Sequence, residues 1–469
     1  MRGPATLVAA LLIGGTPVPA QENKDLDRIP DMLQQEAPPA APAEPSGPAP
    51  RAAKGKYYVE DAATATALRH VPVPFPPPQP ARWQNRTSFD ATDQWDLSPT
   101  LTFSLSDRFN VMEQNNFDFP SHENLRNDFR EGFATWEPAA GNYVEAGRIN
   151  VRNGVALGFN PTDFFKPRTQ IDQASLDPSV IRQNRLGVGM VRGQAIWGSG
   201  SVSAAMAPRL DNPSSLASQS QSGFAPRFDR TNGDNRALVT FAYDVEEFSP
   251  QALIFRDGSR TIFGFNASHG IGRSIIAYTE WAGGRQPNLI TQALQFGRET
   301  GTFPNGTRSL IPTDTGERFR NDLAAGLSWS SEYKITVNAE YHYHQAGLSR
   351  REWRDWFDTG GAQRDNPSVT NQLWFIRGFA ADQQQLLTRH RAFLRAVWTD
   401  AFVPQLELAA FALVNLYDGS SLVQASATYF ISDRWTVAGY LSGNIGEPKS
   451  ERGCAPQAAS AILQLVRYF

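Results

Sequence analysis

Arginine recurs at alternate positions in this chain, in the run Arg148-Ile149-Asn150-Val151-Arg152 and again around Arg391 and Arg395. Alternate residues of an extended strand share one face, so such runs build rows of guanidinium groups that attract anions by charge and by paired N–H donors. A second constellation is Glu340, His342 and His344, two apart on one strand face. That spacing could hold a metal ion, but a polar strand face explains it more simply, and no metal site is assigned. There is no HExxH, no GxSxG and no phosphate loop, so neither a catalytic residue nor a cofactor is expected.

The elements that would position these residues are legible from hydropathy. The chain has 469 residues, 41% of them hydrophobic and 19% charged, with a mean hydropathy of -0.41. Residues 1–20 read as a signal peptide: Met1 and Arg2 give a positive start, an apolar run follows, and Val18-Pro19-Ala20 offers cleavage after Ala20, which implies Sec export. Beyond it no run reaches ~18 consecutive apolar residues, so no helix spans a membrane. The single Cys454 excludes a disulfide framework. With 44 Lys+Arg against 47 Asp+Glu, the net charge of -3 leaves no basic excess for nucleic acid.

Residues 21–82 are rich in Pro and Ala and read as a periplasmic leader of extended chain. From residue 83 to 469 the pattern turns to alternation with period two. In the first such segment Trp83, Phe89, Ala91, Trp95 and Leu97 share one face, while Arg86, Ser88, Asp90 and Thr92 share the other. Similar segments continue to the C-terminus, and their connections alternate between short, as at 198–199, and long, as at 154–184, 210–235, 284–319 and 346–389. Transmembrane barrels connect their strands in this way. The fold class expected is all-β, a transmembrane antiparallel β-barrel of about 18 strands with a Pro-rich N-terminal leader. Eighteen requires a weaker strand within 56–71, and sixteen is the alternative.

Strict alternation then places Arg108, Arg130, Arg148, Asn150, Arg152, Arg192, Arg391 and Arg395 on the face toward a pore. Rings of basic side chains there favour anions. The other reading is that these arginines pair with loop carboxylates and stiffen the wall. The connection 346–389 interleaves Arg350, Arg351, Trp353, Arg354 and Trp356, which suits a constriction folded into the lumen, a surface that stacks on sugar rings, an external cap or a contact with lipopolysaccharide. Leu463, Leu465, Arg467 and Phe469 share one face of the last segment. This resembles the C-terminal signal read by the barrel-assembly machinery, with Arg467 where that signal usually has an apolar residue.

The stretch GRINVRNGVALGFNPTDFF, Gly147 to Phe165, together with the leader, the alternating wall and the terminal Phe, resembles alginate-export-type and related porin-like bacterial outer-membrane barrels. The likeness is detailed only over this stretch. It implies residence in the bacterial outer membrane and passage of small or polymeric anionic solutes through an arginine-lined pore, with Arg148 and Arg152 as the positions carried over and Asn160-Pro161 setting the loop. Outer-membrane lipid, lipopolysaccharide and inner-membrane or periplasmic transport proteins are the partners implied. The alternative is an outer-membrane-embedded enzyme or a cell-surface binding or adhesion barrel.

Overall fold

The computed structural model describes residues 55–115, 124–216, 223–243 and 248–469, so the signal peptide and the leader as far as residue 54 lie outside the described residues. The wall begins with β1 (Lys56–Leu68), β2 (Trp83–Ser98), β3 (Leu101–Gln114), β4 (Leu125–Ala139), β5 (Asn142–Ile149) and β6 (Val188–Trp197). It continues through β7 (Gly200–Ala207), β8 (Arg236–Tyr243), β9 (Phe248–Asp257), β10 (Arg260–Ile271), β11 (Ile275–Gln286) and β12 (Arg318–Ser330). The last third is β13 (Ile335–His344), β14 (His390–Trp398), β15 (Leu406–Asn415), β16 (Ser421–Ser432), β17 (Trp435–Ile445) and β18 (Gln457–Tyr468). Neighbours pair antiparallel, and β1 pairs with both β2 and β18, Asp61 standing opposite Thr87 and Leu465. The sheet therefore closes on itself and leaves no free edge.

Eighteen is the strand number, and the strand required within 56–71 is β1. The wall thus starts inside the stretch read as leader, and the barrel boundary moves from residue 83 to Lys56. The physical reason is that the outer face of β1 carries a charged Asp61 and three alanines, Ala63, Ala65 and Ala67, beside Tyr57 and Val59, which together give little apolar signal. Strand lengths are uneven: β2 has 16 residues, whereas β5 and β7 have 8 each. Outward positions carry Phe89, Val191, Phe263, Leu327 and Leu463, all exposed, as an apolar medium requires. No described helix is long and apolar enough to cross a membrane.

Long connections gather at one end and fold into helices: α1 (Pro178–Gln183), α2 (Phe228–Thr231), α3 (Leu289–Glu299), α4 (Arg350–Ala362) and α5 (Pro367–Asp382). The turn between β9 and β10 is the short one at that end, made by Gly258 at φ +55°, where a side chain would be strained. In α4 a capping box starts the helix, Ser349 accepting from the Glu352 N–H while the Glu352 carboxylate accepts from the Ser349 N–H. Trp353, Trp356, Phe357 and Gly360 then fall on one face and pack with Leu289, Ile290, Leu373, Trp374, Val73 and Cys454. Burial pushes the Cys454 thiol up. At the centre of this helical cap the Arg377 guanidinium lies 4.7 to 5.8 Å from the rings of Trp353, Trp356 and Trp374, and donates to the Glu451 carbonyl at 2.8 Å. The connection 346–389 therefore forms the cap. Trp353 and Trp356 face its core, Arg350 lies over the Tyr417 ring, and Arg351 and Arg354 are exposed.

Candidate pore and the loop that crosses it

On the inner face of β1 to β4 the side chains alternate in sign across the strands. Arg86 and Arg108 both contact Glu60, at 2.6 and 2.8 Å. Arg108 and Arg130 flank Asp90, at 3.7 and 2.6 Å. Asp128 receives Arg126 at 3.2 Å, Arg227 at 2.5 Å and the Asn110 amide at 2.8 Å. The register produces this ladder, since Asp90 stands opposite Arg108 and Arg108 opposite Asp128. Apart from Arg126, these groups are almost fully buried, where a charge is tolerated only with its partner in place.

A different use of carboxylates occurs across the lumen. The chain leaving β5, residues 150–187, folds inward and is held by Glu280 of β11 and Glu340 of β13. Glu280 accepts from the Ala156 N–H at 2.5 Å and the Thr162 hydroxyl at 3.0 Å. Glu340 accepts from the Leu157 and Gly158 N–H groups at 2.7 and 2.8 Å and from the Tyr278 hydroxyl at 2.7 Å. His342 Nε2 lies 2.7 Å from Glu340, and the Phe159 ring rests against His342 and His344. Two glycines make the close approach possible: a Cβ on Gly154, at φ +91°, would strike Glu280, and one on Gly158 would meet Phe393 at 2.6 Å and His342 at 2.7 Å. Further along, Arg185 grips both oxygens of Asp163, at 2.8 and 2.9 Å, and donates to Asn150 at 2.7 Å. Phe164 and Phe165 pack with Phe255, Leu253 and Met190. This is the half of the interior that is filled.

The same loop then crosses to other strands. Asp172 meets Arg126 of β4 at 2.8 Å, whereas Asp177 meets Arg395 of β14 at 2.6 Å and the Leu176 N–H donates to Gln424 of β16 at 3.1 Å. Residues 172–177 thus form a chord across the lumen. Beyond the chord the inner face of β16 to β18 and β1 carries short hydroxyl side chains, Ser426, Thr428, Ser442, Ser460, Thr64 and Thr66, each partly accessible. Asp172 is the most open charged group here, its side chain 51% exposed, and the adjoining Arg126 holds its carboxyl below the usual range.

Each arginine singled out in the sequence has a definite place. Arg108 and Arg130 belong to the ladder. Arg192 faces inward and pairs with Glu145 at 2.5 Å, Arg391 pairs with Glu451 at 3.2 Å, and Arg395 pairs with Asp177. Asn150 donates to the carbonyls of Arg182 and Gln183, and Arg152 is half-buried just after β5. Arg148 shares its face with Val144 and Ala146, in register with Gly132 and Gly189. The inner face of β5 is Tyr143, Glu145, Gly147 and Ile149, one residue out of phase with the alternation read from the sequence. The Arg148 guanidinium is packed between Phe129 and Phe228 and donates to the Gly187 and Pro226 carbonyls, so it does not project into the lumen.

Of the acidic partners, sequence reasoning placed Asp90 on the inner face but missed Glu60, Asp172 and Asp177. Glu60 lay in the assumed leader, and Asp172 and Asp177 lie in a loop whose course is set by contacts with β4, β14 and β16.

No protein-family model matches the chain, and no curated protein matches its sequence. Among solved structures, Pseudomonas aeruginosa OccK11 (OpdR) is similar at TM-score 0.48 and 8% identity, over 88% of this chain and 95% of that one. Salmonella typhi OmpF, solved in complex with daunomycin, is similar at TM-score 0.41 and 10% identity, over 89% and 98%. A mutant of the Rh. blastica porin is similar at TM-score 0.39 and 10% identity, over 88% and 99%. Likenesses this distant carry no inference about solute or activity.

Among the described residues no group of three His, Cys, Asp or Glu is arranged to hold a metal ion. Glu340, His342 and His344 instead act in the clasp on residues 156–159.

Proposed function

We propose that this chain is an outer-membrane channel for small polar solutes, with a preference for anions. Support comes from the closed wall with an apolar outer band and from its polar interior, which the chord of residues 172–177 narrows. The observation that carries the anion preference is the way three inward ion pairs present themselves. Arg192 is 25% exposed against 13% for Glu145, Arg395 20% against 9% for Asp177, and Arg391 13% against 6% for Glu451. The guanidinium is the more open partner in these three pairs and offers positive charge to a passing solute, while on the chord the carboxylate of Asp172 is more open than Arg126 and opposes it locally. A lumen crossed by an anchored loop favours small solutes over a polymer.

Purified protein reconstituted in a planar bilayer under a salt gradient tests both parts. Discrete conductance steps with a reversal potential on the anion side are expected. Absence of steps overturns the channel, and a reversal potential on the cation side overturns the preference.

A further inference from the structure

A cavity of about 180 Å³ lies in the filled half of the barrel, enclosed by residues 159–168 of the crossing loop, the connection before β8, strands β8 to β12, and helices α3 and α5. It is separate from the ladder and from the arc beyond the chord. An enclosed space of roughly 150 Å³ holds a six-membered ring, so this one suits a solute of amino-acid size.

Charges of both signs line it, Arg236 and Arg260 standing with Asp234, Asp257 and Glu299, and Arg236 is taken up by Asp257 at 3.2 Å. At the floor Lys166 is buried, and its ammonium has three N–H donors but one neutral hydrogen-bond acceptor, the Asn160 carbonyl at 2.6 Å, with the Phe159 ring 4.5 Å away. Burial pulls its pKa down to about 8 although Asp163, Glu280 and Asp322 oppose the shift. Of the floor carboxylates, Asp163 is occupied by Arg185 and Asp322 by His344. The Gln385 side-chain oxygen and Arg230 Nε, which also line the space, are buried without a hydrogen-bond partner. At the rim stand the exposed Asp234 and Glu299. Burial and the neighbouring charges of Asp257 and Glu299 push the Asp234 carboxyl up, against the opposing pull of Arg236 and Arg209.

A molecule that satisfies both ends carries a carboxylate and an ammonium. We infer that the cavity is a binding site for a small zwitterion of amino-acid size, its carboxylate received by Lys166 at the floor and its ammonium by Asp234 and Glu299 at the rim. Neither charge alone finds both partners, so recognition depends on the pair.

The test is isothermal titration calorimetry on the detergent-solubilised full chain, with L-glutamine, propionate and propylamine as probes. Glutamine is expected to bind, and each single-charge probe to bind about tenfold more weakly or worse. Lys166→Met and Asp234→Asn should each weaken glutamine by a similar factor. Because Asp234 is an exposed rim residue, its variant reports on the site even if Lys166→Met disturbs the loop. The inference is overturned if glutamine gives no binding heat, if propionate or propylamine binds as tightly, or if Asp234→Asn keeps the parent affinity. Conductance is measured separately: a conducting protein that does not bind glutamine overturns this inference alone, and a protein that binds glutamine without conducting overturns the channel alone.

Discussion

Two arcs of one wall point carboxylates inward and use them differently. On β1 to β4, Glu60, Asp90 and Asp128 meet arginines held in register by the strands themselves, and the product is a stiff, charge-paired surface. On β11 to β13, Glu280 and Glu340 meet main-chain N–H groups of an incoming loop, and the product is an anchor. An inward carboxylate therefore has no fixed role. Its neighbour decides, a guanidinium making it part of the wall and a run of free N–H groups making it a clasp.

The comparison can be broken most sharply on the ladder. Arg108→Met removes a partner from both Glu60 and Asp90, and breaking a buried ion pair costs about 3 to 5 kcal/mol. A fall of that size in unfolding free energy, read from denaturant titration of the folded barrel, is expected. A change below about 1 kcal/mol would assign the ladder to a solvated surface.

On the opposite arc, Glu340→Ala strips the acceptor from the Leu157 and Gly158 N–H groups, at roughly 1.5 to 3 kcal/mol for each hydrogen bond to a charged group. The loss falls on the loop and leaves the strands paired, so single-channel conductance should rise and fluctuate while the heat-modifiable gel shift persists. Unchanged, quiet conductance would show that the clasp is not what holds the loop.

Asp172→Asn probes the chord itself. Stability should move by less than about 0.5 kcal/mol, since the side chain is half open, while the reversal potential shifts toward anions as Arg126 loses one of its two counter-charges and keeps Asp128. The titration has a defined sign. The carboxyl is held below its unfolded value of about 3.9, so its charge is present above that pH and is lost as pH falls through the lower, folded value. The parent channel should therefore keep one selectivity from pH 8 down to about 4 and turn more anionic only below. A step near neutrality would point to another group. The smallest change expected is for Arg192→Gln, a partial loss of anion preference with stability unaffected.

Most of the wall was legible because alternation is local. Trp83 to Leu97, the segment with the cleanest period of two, is β2, and the need for one more strand located β1 despite its alanines. The faces of β5 were not legible. Eight residues give few repeats, and RINVR imposes a phase that in fact belongs to the loop from Asn150 onward, while Glu145, opposite Arg192, carries the true inner face. The helices of the cap left local marks that period-two reading passes over, notably the Ser349-x-x-Glu352 box and Asn288, which caps α3 by accepting from Thr291. The clasp left none, because Glu280 and Ala156 are 124 residues apart and only the closed barrel brings them together.

The uneven strands also set how the molecule sits among lipids. Eight residues at about 3.4 Å each, tilted by roughly 45°, rise only some 19 Å, short of the apolar band of about 25 Å that such barrels present. Met206 near the end of β7 and Leu210 just beyond it are exposed and extend the greasy surface upward, and Phe224 stacks on Phe109 of β3. A bilayer meeting this rim must thin beside β5 to β7 or let the barrel lean toward them. The lipid annulus around the protein is accordingly lopsided, and tilt relative to the membrane normal is a property written into the eight-residue strands β5, β7 and β8.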